Sequence, residues 1–242
     1  MLIDLSQRSS DVEIMDDFKN PPENLEQILE DINRVNTLLG GFAITQKAIT
    51  KLLNTHAKTN YTIIDFGCAE GSMLRALATH CRKRNMNVSF IGIDLNEKTL
   101  KLAEKKSKNF PEISYLQQDI FQINTKELKC DILISTLTLH HFDNHTIVEL
   151  LPKFFEIATI GIVINDLQRS VWAYYLFKLF SLIFIKTKIA KIDGLISIRR
   201  AFKKSELNAF AKLYPEVTHT IQWKWAFRYL WMLQKPAKTN FS

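Results

Sequence analysis

The segment Ile63-Ile-Asp-Phe-Gly-Cys-Ala-Glu-Gly joins a β-branched run to an acid and two glycines in the spacing DxGxxxG. Glycines at 67 and 71 let the backbone turn tightly and approach a ligand, while a following helix offers unpaired N–H groups. Dinucleotide-binding folds use a similar device, but here Asp65 precedes the turn. A pyrophosphate is repelled by carboxylates lining its cradle, whereas a ligand with a zwitterionic tail and a positive sulfur tolerates them. Asp94 stands 23 residues after Gly71, where a carboxylate can bridge two ribose hydroxyls. Leu95 can pack on an adenine face, and Asp119 in Gln117-Gln-Asp-Ile can accept from the adenine amino group. Each acid alone is equally a turn or cap residue. Three at successive strand ends form a coherent nucleoside site.

A second group lies in Ser135-Thr-Leu-Thr-Leu-His-His-Phe. A displacement at a carbon next to a positive sulfur needs alignment of the nucleophile with that carbon and exclusion of water. A phenol or enol acceptor must also lose a proton, which suits a histidine. His140 and His141 are the candidates, with His141 ranked first; alternatively one of them only fixes its loop through backbone bonds. Further along, Asp166, Arg169, Trp172 and Arg199 are candidate substrate contacts, although Asp166 and Arg169 are also placed to form a local ion pair and the aromatic run to be plain core. Arg34 and Asn36 could touch a ligand if Gly40-Gly41 is a hinge; a helix ending in a glycine cap is the ordinary alternative.

These residues require a scaffold of short strands separated by helices. Tyr61 to Asp65, Val88 to Asp94, Ile113 to Gln117, Cys130 to Ser135 and Gly161 to Asn165 read as buried strands. Helices are expected at 72–84, from Glu97 to about Lys108 with Asn96 as cap, at 144–155, and near Ser205 to Leu213 with Ser205 as N-cap. The aromatic-rich runs 217–223 and 226–233 suggest a hairpin that closes the sheet with one antiparallel strand. The expected architecture is a doubly wound α/β, Rossmann-like sheet of seven strands, six parallel and one antiparallel, with helical N-terminal and lid elaborations.

With these motifs the chain resembles the class I S-adenosylmethionine-dependent methyltransferases. Asp65, Gly67 and Gly71 match the family's first motif, with Ala69 in place of its usual middle glycine. Asp94 matches the second-strand acid, Asp119-Ile120 the adenine-side motif, and Cys130-Asp-Ile-Leu-Ile-Ser the fourth strand. The resemblance implies S-adenosylmethionine as cofactor, with Cys68 and Ala69 in its cradle and Ser135 and Thr136 facing the methionine moiety. It divides the chain into an N-terminal helical segment, 1–56, and a methyltransferase domain, 57–242, with a lid at about 169–202. That lid resembles the substrate-covering insertion of methyltransferases acting on phenolic, quinone-like or polyketide-type metabolites in bacterial biosynthetic pathways. An oxygen of such a small molecule is the expected acceptor, with carbon second. No Asn/Asp-Pro-Pro-Tyr/Phe follows the fourth strand, which argues against methylation of nucleic-acid bases. The competing readings are a non-catalytic S-adenosylmethionine-binding or RNA-binding module of the same fold, and a nicotinamide-dependent oxidoreductase.

Composition bounds these readings. The 242 residues, 46% hydrophobic and 24% charged, suit an ordinary globular protein and exclude wholesale disorder. Cys68, Cys81 and Cys130 have no CxxC spacing, so neither a disulfide framework nor a metal site is expected, and a reducing, cytoplasmic location fits. The start lacks a secretory pattern, and the apolar run 171–185 is shorter than the ~20 residues of a membrane span. The net charge of +7 hides an asymmetry: residues 1–31 carry −7, the remainder +14, and the block from Lys178 to Lys212 alone +7. Such a block is either a solvated face, a docking surface for an acidic carrier protein or an anionic membrane, or the counterpart of the acidic leading segment.

Overall fold

A computed structural model describes residues 3–17, 22–56 and 58–235. Fifteen helices and strands follow one another as α1 (Leu25–Leu38), α2 (Gly41–Thr55), β1 (Tyr61–Phe66), α3 (Ser72–Arg82), β2 (Val88–Asp94), α4 (Glu97–Lys106), β3 (Ile113–Gln117), β4 (Cys130–Thr136), α5 (Asn144–Ile157), β5 (Ala158–Leu167), α6 (Val171–Phe184), α7 (Lys188–Arg200), α8 (Lys204–Lys212), β6 (Thr218–Lys224) and β7 (Arg228–Gln234). The strands form one sheet in the order β3-β2-β1-β4-β5-β7-β6. Neighbours from β3 through β5 run parallel, and β7 is antiparallel to both β5 and β6. The doubly wound sheet of six parallel strands and one antiparallel strand is therefore as expected.

The Ile- and Val-rich strands are apolar without alternation because helices cover both faces. Ile63, Ile132 and Val163 point into one core with Leu52 of α2, Leu74 and Leu77 of α3 and Leu100 of α4. Their chain neighbours Ile64, Leu133 and Ile162 point into the other, with Leu150 and Phe154 of α5, Phe210 of α8 and Trp231 of β7. Two cores separated by a rigid sheet hold the C-terminal ends of β1, β2, β4 and β5 in fixed register, and the site is built there.

Several boundaries differ from expectation for local reasons. Asn96 does cap α4, accepting from the amides of Lys98 and Thr99. Helix α8, by contrast, starts one residue earlier than its expected cap: Lys203 holds the N-cap position, and its amide donates to Glu206 Oε2 at 2.7 Å, so Ser205 lies inside the helix. The expected lid consists of α6 and α7. Within the leading segment α2 packs on β5 and β7, and Ser9 and the turn at Ile14–Asp16 contact α7. The leading segment also carries the sequence Pro21-Pro22, of which Pro21 falls outside the described residues. No helix among the described residues is long and apolar enough to cross a membrane.

Candidate active site

Strand β1 ends on Asp65-Phe66, and the chain then passes through three left-handed positions, Gly67 (φ 71°), Ala69 (φ 46°) and Gly71 (φ 74°), into α3. Glycine is required at two of them for space as well as φ. A Cβ on Gly67 would stand 2.3 Å from the Thr138 side chain, and one on Gly71 2.0 Å from the Tyr115 hydroxyl. The turn is tied to β2: the amides of Gly67 and Cys68 both donate to Ile93 O, at 2.9 and 3.2 Å. Asp94 completes the tie, one carboxylate oxygen accepting from Ala69 N at 2.8 Å and the other from Asn96 N at 2.9 Å. Glu70 is buried behind the turn, paired with Arg75 at 2.6 Å and accepting from Asn33 of α1.

This turn forms one wall of a cavity of about 830 Å³, in the upper part of the ~300–1,000 Å³ range of small-ligand pockets. Asp65, Gly67, Cys68, Ala69, Asp94, Leu95, Asp119 and Ile120 all line it. Gly71 and Ser135 do not: Gly71 serves the turn, and the alternation of β4 buries Ser135 and gives the wall to Thr136. Asp65 is buried, and its Oδ1 has no hydrogen-bond partner among the described residues. Burial, with Asp94 nearby, pushes its carboxyl well above the usual range. Burial also raises Asp94, although its backbone donors oppose the shift. Asp65 thus has no cationic partner among the described residues and Asp94 has backbone donors, and a ligand carrying an ammonium and ribose hydroxyls fits these two acceptors. The Cys68 thiol is pushed up by burial and by the same acids, so it packs rather than reacts.

A second wall carries a cluster of imidazoles and carboxylates. His140 and His141 sit in a 3-10 turn after β4, their ring centroids 4.3 Å apart. His140 is buried, with Nδ1 at 2.7 Å from Asp166 Oδ1 of β5 and Nε2 at 3.5 Å from Glu13 Oε1. Burial alone pulls the His140 imidazole down, but Asp166 and Glu13 together push it up to about 9. It is thus a cation at neutral pH, held between two carboxylates. His141 is half-buried, and its Nδ1 lies 3.0 Å from Asp16 Oδ2. Glu13, His140 and His141 bring ligating atoms within 4.8 Å of one another, a spacing open to a metal ion. Two arginines fix the loop. Arg8 donates to the carbonyls of His140 (2.9 Å) and Phe142 (2.7 Å), and Arg200 to those of His140 and His141.

The remaining candidate residues fall elsewhere. Asp166 bonds His140 rather than Arg169. Arg169 is buried off the cavity, paired with Glu206 at 2.6 Å and donating to the carbonyls of Leu5 and Ala201. Arg199 pairs with Asp11 at 2.5 Å, and Trp172 points outward from α6. None of the three lines the cavity. Of the α1 pair, Asn36 lines it and Arg34 does not, bonding Asp31 and Phe184 O instead. Glu13 and Asp16 had no sequence motif to mark them; their only signal was the acidity of the leading segment. Arg228 was equally hidden in an aromatic strand, and it reaches the cavity with Asn36 Oδ1 at 2.7 Å.

The sheet order, with the acid-bearing glycine turn and the carboxylates at successive strand ends, matches the Rossmann-like fold of methyltransferases. Residues 57–169, a little under half of the chain, match the family model described as a methyltransferase domain. A carboxy-S-adenosyl-L-methionine synthase from Desulfotalea psychrophila is 30% identical over 94 residues; the chain spans 38% of the length of that curated relative, and the match takes 38% of this chain. Among solved structures, the plantazolicin methyltransferase BpumL in complex with SAH superposes with a TM-score of 0.69 at 16% identity, covering 92% of this chain and 94% of that one. Magnesium protoporphyrin IX methyltransferase (ChlM) from Synechocystis PCC 6803, with bound SAM, gives 0.54 at 14% identity, over 90% and 86%. At these identities the structural likeness is one of fold.

Proposed function

We propose that the protein transfers a methyl group from S-adenosylmethionine to an oxygen, with carbon the second choice, of an aromatic or polyketide-derived small molecule. The observation that carries this reading is the cavity itself, which joins the carboxylate-bearing turn to an apolar wall from α6 and α7 through the histidine cluster. S-adenosylmethionine supplies an electrophilic methyl carbon on a sulfonium. Asp94 and Asp119 would hold its ribose and adenine, and Asp65 its ammonium. The side chains of Phe177, Phe180 and Ile198 exclude water and orient an apolar acceptor by burial, worth roughly 25 cal/mol per Å².

His140, already protonated and enclosed, cannot accept a further proton and acts as a fixed cation that positions its neighbour. His141 is therefore the general base. Asp16 holds its Nδ1–H, which leaves Nε2 as the acceptor for the proton of a phenol or enol. The substrate arrives free, on an acidic carrier protein or from an anionic membrane.

The experiment is calorimetric titration with S-adenosylmethionine. The wild type binds and the Asp94→Ala variant does not. Unchanged binding by the variant would sink the site assignment, and a thermal shift with NADH instead of S-adenosylmethionine would point to an oxidoreductase.

A further inference from the structure

The outer face of α6 is the most apolar exposed surface among the described residues. Trp172 (73% exposed), Leu179 (61%), Leu182 (68%) and Ile183 (72%), with Val171, Tyr175 and Leu176, recur at intervals of three, four and seven residues. They therefore cover one continuous arc of about 140° on the helix. Monomeric proteins rarely leave such a stripe in water without a use for it. The stripe reaches the mouth of the cavity, because Leu176, Leu179 and Ile183 are at once exposed and cavity-lining, as is Trp225 (66% exposed) on the β6–β7 turn. The rim is thus apolar where an aqueous ligand would meet a wet, polar one.

Charge separates the possible occupants. Lys178 borders the arc, and Lys186 and Lys188 follow its C-terminal end; all three are exposed, and none of their ammonium groups pairs with a described carboxylate. A second copy seated on this face by two-fold symmetry would bring the stripe's lysines against their own counterparts. An anionic lipid surface instead satisfies both features, taking the apolar arc into the acyl boundary and the lysines at the headgroups, with tryptophans at the interface. The more basic stretch around Lys203 and Lys204 is less suited, because the Lys203 ammonium is already donated to Ser6 O at 3.1 Å.

We propose that α6 docks the protein on anionic lipid bilayers, so that an apolar acceptor passes from the membrane through the Leu179–Ile183–Trp225 rim into the cavity. The docking stands on the surface alone; the passage of an acceptor rests on the methyltransferase reading.

The test is flotation of the full chain with phosphatidylcholine vesicles, with and without about 30% phosphatidylglycerol, without any methyl acceptor. The protein should float with the anionic vesicles and much less with the neutral ones. Trp172→Glu with Leu182→Glu, both outside the cavity, should reduce the floated fraction about tenfold or more, while melting temperature and S-adenosylmethionine affinity stay as in the wild type. Lys186→Glu with Lys188→Glu should abolish the preference for anionic lipid. Flotation that is absent, or unchanged in the Trp172/Leu182 variant, overturns the proposal. So does a concentration-dependent dimer in sedimentation that the same variant dissociates, or capture by an acidic carrier protein without flotation. Loss of S-adenosylmethionine binding in the wild type would refute the methyltransferase reading and leave the docking result standing.

Discussion

The charged state of His140 makes stability depend on pH in a defined direction. Its imidazole is raised from the ordinary histidine value to about 9 by Asp166 and Glu13, against the opposing effect of burial. Burial alone would raise both carboxyls, but Glu13 is held below its ordinary value by its bond to His140, the charge of both histidines and Ser197, and Asp166 by His140 and the Leu167 amide, so they stay ionised. Between pH 6.5 and 9 the folded chain therefore retains a proton that the unfolded chain has lost. The contribution is fully present below about pH 6.5 and disappears as pH rises through 9, with a slope of about 1.4 kcal/mol per unit and a total of about 3 kcal/mol. For a chain of this size that is a fall in Tm of roughly 10 °C. The assay is thermal and urea unfolding from pH 6 to 9 of the wild type and of His140→Gln. The wild type should lose stability steadily, and the variant should start lower and change little up to about pH 8.5. The comparison is needed because the buried thiols act in the same direction: Cys81 is raised to about 11 and Cys130 to about 12, so unfolded cysteines ionise first above about pH 8.5. That effect is common to both proteins. Parallel curves for the two below pH 8.5 would refute a charged, buried His140.

Two further predictions concern the site. His141→Gln should lower kcat by about 10²–10⁴ while leaving the S-adenosylmethionine affinity measured by calorimetry unchanged; normal turnover would remove it as the base. Gly71→Ala should destabilise by about 2 kcal/mol or more, since it adds left-handed strain to a Cβ placed 2.0 Å from the Tyr115 hydroxyl, which Ser107 holds at 2.7 Å. Adding Tyr115→Phe should recover part of the lost Tm, and an unchanged Tm in the single variant would show that the turn relaxes freely.

The carboxylate-bearing wall of the cavity was legible because its residues are close in sequence. Asp65, Gly67 and Ala69 lie within five residues, and Asp94 and Asp119 each end or follow a strand whose β-branched run announces it. A parallel strand end fixes where such a residue goes, so spacing along the chain becomes position in space. The acceptor half was less legible because its parts are brought together over long separations. Glu13 reaches His140 across the whole first half of the fold, and no motif marks it. Arg169, Trp172 and Arg199 were placed by sequence proximity to the lid, but helix phase sends Trp172 outward, and the two arginines are used up by Glu206 and Asp11.

The same long-range contacts change what the charge asymmetry means. The acidic leading segment is the structural counterpart of α7: Asp11 pairs with Arg199, Arg200 lies 3.9 Å from Asp16, and Asp193 accepts from the amides of Ile14 and Met15. The partly exposed Asp11–Arg199 pair contributes little by itself, yet the geometry of these contacts has a specific result. They bring Glu13 to Nε2 of one histidine and Asp16 to Nδ1 of the other. Without that segment His140 would keep Asp166 as its sole carboxylate, and His141 would lose the acceptor that sets its tautomer. The leading segment is therefore part of the proton chemistry proposed for the site. Lys178, Lys186 and Lys188, which pair with no described carboxylate of that segment, lie beside the apolar arc of α6.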